Sequence, residues 1–180
     1  SNRIVSNRFD GRGVQTWGVN ISSGSRTTIT NNTMYGHATG AIEIQSRSNF
    51  ALGNTIRSNT SVGIAVDGAV ADGNRVMGNI VRGPGQTAGI RIDDADGNVV
   101  SNNTAAGHTG VGIALSNTAS TNVIVGNRIG SNSGSYGLSI YNTGGAFANR
   151  VVSNFIDRNS GQAIRQFGGV RNVYTNNIVS

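Results

Sequence analysis

The segment from Asn74 to Val81, NRVMGNIV, places two asparagines five residues apart around a short apolar stretch. The same phrase returns along the chain as NRIVSNRF from Asn2, NFALGNTI from Asn49, NVVSNNTA from Asn98, NVIVGNRI from Asn122, NRVVSNFI from Asn149 and NVYTNNIV from Asn172. When the second asparagine of each phrase is taken as an anchor, the anchors follow one another every 22 to 27 residues. A period of this length is typical of solenoids, in which each repeat builds one coil.

Two columns of polar side chains follow from this repeat. The anchors are Asn7, Asn32, Asn54, Asn79, Asn103, Asn127, Asn154 and Asn177, and five residues before them stand Asn2, Thr27, Asn49, Asn74, Asn98, Asn122, Asn149 and Asn172. Stacked coils place equivalent residues about 4.8 Å apart, where amides can hydrogen-bond to one another and to turn backbone. We therefore predict asparagine ladders with a structural role.

Midway between anchors, a small residue precedes an apolar-x-apolar triplet, as in Gly63 with IAV and Gly89 with IRI. The last copy, Ala163 with IRQ, departs from the rule at Gln166. Alternation of this kind indicates strands with one face inside, and Gly, Asn and Ser bends separate them. The sequence predicts an all-β fold, a right-handed parallel β-helix of about eight coils with three short strands per coil. It forms one domain over residues 1–180, or a segment of a longer solenoid.

The charge of the chain indicates which classes of partner it could bind. All 14 basic residues are arginines, against 8 acids, so the net charge is +6 and the pI is about 11.0. This favours an anionic partner, and the scattered arginines with few aromatics make nucleic acid a poor candidate. The absence of cysteine excludes disulfides and thiolate metal sites. No apolar run has the length of a membrane span.

The pattern N-x-[IV]-x-x-N followed by G-[IL]-x-[IVL] resembles the parallel β-helix repeats of the pectate-lyase-like superfamily, which includes polysaccharide lyases, polygalacturonases and mannuronan C5-epimerases. The coils NTMYGHATGAIEI and NTAAGHTGVGIAL look particularly like those of epimerase catalytic modules. The resemblance implies a carbohydrate-active protein, extracellular or on the cell surface, that binds or acts on a uronate-containing polysaccharide as a lyase, epimerase or hydrolase. The Asp-Pro-His signature of the epimerases has no counterpart, because Pro84 is the only proline.

In this fold, the sheet that contains the triplets commonly forms the ligand groove, so its outward residues are the candidate site. Asp67 and Asp93 share a column on adjacent coils, with Arg91 beside them and Glu43 one coil back. Carboxylates about 5 Å apart repel, which raises a pKa or recruits a cation. We predict Glu43, Asp67 and Asp93 as catalytic groups for acid and base chemistry.

Four further residues are predicted to bind substrate. They are Arg91 and Arg165, which would pair with sugar carboxylates, together with Asp94 and Tyr141. Candidate ligands for a calcium ion are the four aspartates Asp67, Asp93, Asp94 and Asp96. The alternative is that DDADG is an Asx-rich turn whose carboxylates cap backbone amides.

Two histidines occupy the same position of the repeat. His37 and His108 each stand five residues after an anchor, but three coils, or roughly 14 Å, separate them. They cannot share one metal ion, and we predict both to be polar turn residues.

A second hypothesis is a structural or adhesive solenoid without catalysis, such as a segment of a fibre, tailspike or surface protein. The missing signature and the small outward residues Ala65, Ala114 and Ser116 favour it. Coils without caps would expose strand edges and permit end-to-end assembly into a homo-oligomer.

Overall fold

Three parallel sheets wrap one core in the computed structural model, which describes residues 1–141, 143 and 148–180. Each coil gives one short strand to each sheet, and successive coils pair in parallel register. Seven coils have all three strands, and two strands of an eighth follow. The prediction of an all-β parallel β-helix with three short strands per coil is confirmed. Within the described residues, no helix is long and apolar enough to cross a membrane.

Sheets A and B are built from strands of two or three residues. Sheet A contains β1 (Arg3–Val5), β4 (Thr28–Thr30), β7 (Phe50–Leu52), β10 (Arg75–Met77), β13 (Val99–Ser101), β16 (Val123–Val125), β19 (Arg150–Val152) and β22 (Val173–Thr175). Sheet B contains β2 (Arg8–Asp10), β5 (Thr33–Tyr35), β8 (Thr55–Arg57), β11 (Ile80–Arg82), β14 (Thr104–Ala106), β17 (Arg128–Gly130), β20 (Phe155–Asp157) and β23 (Ile178–Val179).

Sheet C holds the longer strands with the triplets. It contains β3 (Trp17–Ile21), β6 (Gly40–Ile44), β9 (Val62–Asp67), β12 (Ala88–Asp93), β15 (Val111–Ser116), β18 (Tyr136–Tyr141) and β21 (Gln162–Phe167). The first and third triplet residues point into the core, so Ile64 and Val66 stack on Ile90 and Ile92. Because these columns exclude water along the coils, each buried Ile or Val contributes roughly 1.5–3 kcal/mol.

The predicted ladders are present. Along the anchor column from Asn7 to Asn177, each backbone N–H donates to the Oδ1 of the next asparagine at 2.8–3.0 Å. Each Nδ2 also donates to that Oδ1 at 2.9–3.1 Å. In the second column the bonds run from backbone N–H to the next Oδ1, as from Asn74 to Asn98. The buried turns between sheets therefore satisfy their backbone donors.

A third polar column lies between sheets B and C, at the position of the two histidines. Its members are His37, Asn59, Gln86, His108, Asn132 and Asn159. His37 and His108 occupy the turns, as expected, but their rings point inward and are fully buried. Their backbone N–H groups donate to Asn59 and Asn132 at 2.9 and 3.0 Å.

Candidate functional site

The register of sheet C brings the predicted cluster onto one outer face. Ala65 pairs with Glu43 on one side and Arg91 on the other, and Asp67 pairs with Asp93. The parallel pairing fixes these neighbours, because equivalent residues of successive coils lie about 4.8 Å apart. Three acids and one arginine thus face outward over three consecutive coils.

Arg91 and Asp67 form an ion pair on this face. Arg91 Nη2 lies 2.9 Å from Asp67 Oδ2, and the two side chains are 34% and 28% exposed. The Nε of Arg91 is buried and has no hydrogen-bond partner in the described part of the chain. Asp67 therefore holds the guanidinium through Nη2, and the exposed third of the Arg91 side chain is where a ligand could contact it.

Glu43 is the carboxyl group of the cluster with the least solvent contact, since only 8% of the residue is exposed. It accepts a hydrogen bond from Asn20 Nδ2. Burial raises its pKa above the ordinary value, and the charge of Asp67 adds to the increase, whereas Arg91 and the Asn20 bond oppose it. A carboxyl group with a raised pKa holds its proton to a higher pH than an ordinary one, which is a property of carboxyl groups that exchange protons in active sites.

An apolar floor lies beside these charges, and the sequence pattern did not reveal it. Val62, Ala65 and Ala88 form a cluster outside the core, with Trp17 packed against them. A β-carbon added to Gly40 would meet the Trp17 ring, so the indole lies across coil 2. The strand pairing of sheet C skips the small residue before the triplet, since Val62 and Ile64 pair with Ala88 and Ile90 but Gly63 has no partner in this register. The residue before the small one, such as Val62, therefore packs with the outward Ala65 and not with the core. The apolar residues Val62 and Ala88, each directly before the small residue, were the signal in the sequence that could have revealed this cluster.

The three aspartates of DDADG accept hydrogen bonds from residues of the next coil. Asp93 accepts from Ser116 Oγ at 2.9 Å and from Asn117 Nδ2 at 2.7 Å. Asp94 accepts from the Thr118 hydroxyl, and Asp96 from the Ser120 backbone N–H, each at 2.8 Å. The carboxylates of Asp94 and Asp96 thus cap backbone amides, as the alternative proposed, but the amides belong to the turn of the next coil and not to their own turn.

The described residues contain no group of three or more His, Asp or Glu side chains arranged to hold a metal ion. The four predicted calcium ligands do not converge as one such group, since Asp93, Asp94 and Asp96 each bond to a different part of the following turn. Calcium binding remains a prediction, and a bound sugar carboxylate would have to supply further oxygen ligands.

Aromatic side chains occupy the far end of the same face. Tyr141 and Phe167 stack with ring centroids 5.0 Å apart, and Arg165 lies over the Tyr136 ring at 5.5 Å. Arg165 stands three strands beyond Arg91, at roughly 14 Å along the axis. The predicted site residues therefore form two groups, one around Arg91 and one around Arg165.

Two cavities of the structure do not include the Arg91 cluster. One of about 480 Å³ lies beside it, among the turns that follow β3, β6 and β9, and includes Gln45 and Asp72. A larger one of about 780 Å³ lies on sheet B. The cluster lies on the outer face of sheet C, between neighbouring strands.

A family described as "Right handed beta helix region" matches residues 1–179. No curated protein matches the chain. Among solved structures, the periplasmic alginate epimerase AlgG is similar, with a TM-score of 0.80 and 14% identity over 99% of this chain and 44% of that one. The A-module of the Azotobacter vinelandii mannuronan C-5 epimerase AlgE4 has a TM-score of 0.74 and 18% identity over 87% of this chain and 47% of that one.

The A-module of AlgE6 from the same organism is also similar, with a TM-score of 0.65 and 15% identity over 98% of this chain and 56% of that one. At such identities the likeness shows a shared fold. The chain spans about half the length of these structures.

Proposed function

Because the chain belongs to the right-handed β-helix family, we propose that the outer face of sheet C binds a uronate-containing polysaccharide and acts on it by proton transfer. The observation that supports this most is Glu43, a buried carboxyl group with a raised pKa, one coil from the Arg91–Asp67 ion pair. The similar structures are described as epimerases of alginate or mannuronan. We extend that substrate class to this chain.

The reaction class that fits the cluster is abstraction of the proton next to the sugar carboxylate. The free donors of Arg91 would bind that carboxylate and stabilise the negative charge that develops on it. Asp67 holds the guanidinium in place, and Glu43 would take up or return the proton. Departure of the neighbouring sugar oxygen, protonated by water, then gives elimination. Delivery of a proton from water to the opposite face of the same carbon, while Glu43 keeps the proton it removed, gives epimerisation.

A polymer lying along the axis would reach both groups on sheet C. Arg165 would pair with the carboxylate of a second sugar, and Tyr141 with Phe167 would offer a flat apolar surface to its ring. AlgG is described as periplasmic. We propose a location outside the cytoplasm for this chain too, where polysaccharide is accessible.

Proton NMR of purified protein with alginate and pectate fractions, with and without calcium, tests the reaction. New olefinic signals indicate elimination, and inverted-sugar signals indicate epimerisation. We expect Glu43→Gln and Arg91→Gln each to lower the rate by about 100-fold or more. Arg150→Gln, an exposed change on sheet A, serves as the control and should keep the wild-type rate.

Binding has its own reporter, because Trp17 is the only tryptophan and lies on this face. Polysaccharide bound over Val62 and Ala88 should shift Trp17 emission, and Arg91→Gln should weaken that titration. A titration that leaves the emission unchanged, while binding is seen by another method, would place the ligand elsewhere.

One observation favours the structural solenoid as a second candidate function. Asp93, Asp94 and Asp96 are all engaged in bonds between coils, so these carboxylates have roles without any ligand. NMR spectra that stay unchanged with every polymer would support this candidate over the enzyme.

A further inference from the structure

The outer face of sheet B carries arginines on four of its strands, two of them on neighbouring coils. Arg57 pairs in register with Arg82, while Arg8 lies on the first strand of the sheet and Arg128 on the sixth. Arg158 follows in the turn after β20. All five side chains are exposed. Two like charges on neighbouring strands repel, so their juxtaposition costs stability and suits an anionic ligand.

Few acids compensate these charges. Asp157 pairs with Arg128 at 3.5 Å and with Arg158 at 3.0 Å. Within the described ranges, Arg57 and Arg82 have neither an ion pair nor a hydrogen bond from the side chain. Sheet C differs, because its strands carry Glu43, Asp67 and Asp93 against Arg91 and Arg165. The strands of sheet B thus carry more arginines than acids, four against Asp10 and Asp157, whereas those of sheet C carry more acids than arginines. An excess of positive charge on sheet B would attract a polyanion.

Grooves lie on both sides of this arginine pair. A groove of about 780 Å³ is lined by Arg8, Tyr35 and Arg57, and one of about 350 Å³ by Arg82 and Arg128 among others. Together they follow the axis across sheet B. Their position gives an extended chain room to lie against the arginines without any rearrangement of the coils.

An arginine already lies over one face of each of two aromatic rings on sheet B. Arg8 lies over the Tyr35 ring at 5.2 Å, with both Nε and Nη2 donating to the Tyr35 hydroxyl, and Arg128 lies over the Phe155 ring at 5.6 Å. Single-stranded nucleic acid binds by stacking bases on open aromatic faces. The arrangement thus favours a polymer that has charges but no aromatic bases.

From these observations, we propose that the outer face of sheet B is a second, non-catalytic binding surface for an anionic polysaccharide, whose successive carboxylates contact Arg57 and Arg82. The choice of ligand class rests on the proposed function. The location of the surface rests on the arginine pair, its missing counter-charges and the two grooves.

The test compares two double variants with the same loss of charge. Arg57→Gln/Arg82→Gln alters sheet B, and Arg75→Gln/Arg150→Gln removes two exposed arginines from sheet A. Anisotropy of fluorescently labelled long alginate gives Kd at about 20 mM and about 200 mM NaCl, where screening differs strongly. We expect the sheet B variant to bind about fivefold more weakly at low salt and the sheet A variant to change by less than about twofold.

The outcomes separate this inference from the proposed reaction. Equal weakening by both double variants, or by neither, would overturn the sheet B surface. A parallel titration uses labelled single-stranded DNA. If the sheet B variant loses affinity for DNA but keeps its affinity for alginate, the surface binds nucleic acid and the proposed polysaccharide surface is overturned. If the sheet B variant alone loses alginate affinity while NMR shows no turnover by wild type, the second surface stands and the proposed reaction fails. If wild type shows turnover and the sheet B variant binds alginate as tightly as wild type, the proposed reaction stands and the second surface fails.

Discussion

The imidazole of His108 lies against Gly89 of the preceding coil. A β-carbon added to Gly89 would stand 2.5 Å from His108 Nε2 and 2.6 Å from the Gly112 carbonyl oxygen. The relationship repeats along the helix, since a β-carbon on Gly112 would meet Asn132 Nδ2 at 2.9 Å. The small residue before each triplet therefore makes room for the third-column side chain of the next coil.

Gly89→Ala should lower the free energy of unfolding by about 1–3 kcal/mol, because the added methyl group overpacks a filled site. Urea denaturation followed by circular dichroism measures the change. The double variant Gly89→Ala/His108→Ala should lose less stability than the sum of the losses in the two single variants, because alanine at position 108 leaves space for the added methyl group. Full additivity would show that the imidazole is not the group that resists the methyl.

Buried His108 should make stability depend on pH. Burial lowers its pKa from 6.5 to about 4, so between these values the unfolded chain binds a proton that the folded chain does not. Stability is therefore lost as the pH falls from about 6.5 to about 4, by about 3 kcal/mol in all.

His108→Asn, which introduces the side chain found at Asn59 and Asn132, should flatten this pH dependence. Denaturant titrations at pH values across that window compare the two proteins. Burial lowers the pKa of His37 in the same direction, so His37→Asn should flatten it further. Parallel stability curves for wild type and the His108 variant would contradict the assignment.

Asn103 is a central rung of the anchor ladder. Its Oδ1 accepts from the backbone and side chain of Asn79, and its Nδ2 donates to Asn127 and to the Val76 carbonyl. Asn103→Ala leaves buried groups without partners on both neighbouring coils and should cost about 2–4 kcal/mol in thermal or urea unfolding. Asn2→Ala, at an exposed position, should cost less than about 0.5 kcal/mol.

Glu43→Gln should separate activity from stability. The folded pKa of Glu43 is raised, so its contribution to stability is present at low pH and is lost as the pH rises through that pKa. The variant keeps the shape and removes the buried charge beside Asp67. It should be as stable as wild type at pH 4 and more stable than wild type at pH 7, while losing turnover. Equal stability at both pH values would show that burial imposes no penalty on the charge.

The coil architecture followed from local patterns. The recurring phrase around Asn74, the triplet after Gly89 and the alternation within it predicted the strands, their inward residues and the ladders, and the structure confirms these. The pairing of Asp67 with Asp93 was also predicted, because the coil length sets the register. Periodic sequence determines these features since each coil repeats the same backbone path.

The repeat pattern alone did not predict the interactions within the candidate site. The repulsion expected between Asp67 and Asp93 is relieved by separate partners, Arg91 for the first and Asn117 for the second, and Glu43 is the carboxyl group with the raised pKa. The inward rings of the histidines and the apolar floor under Trp17 were also missed. Both depend on the small residue before the triplet, where the strand pairing is interrupted and strict alternation of inward and outward side chains fails.

The sequence by itself thus determined a right-handed β-helix, the stacking of its asparagines and the face on which its charged residues meet, because a fixed repeat sets all three. Tertiary structure decided which carboxylate is desolvated, which arginines stay without counter-charges and where His108 points. Those outcomes depend on side chains about 24 residues away on the neighbouring coil, as with Arg91 and Asp67, and on how closely the coils pack around each one.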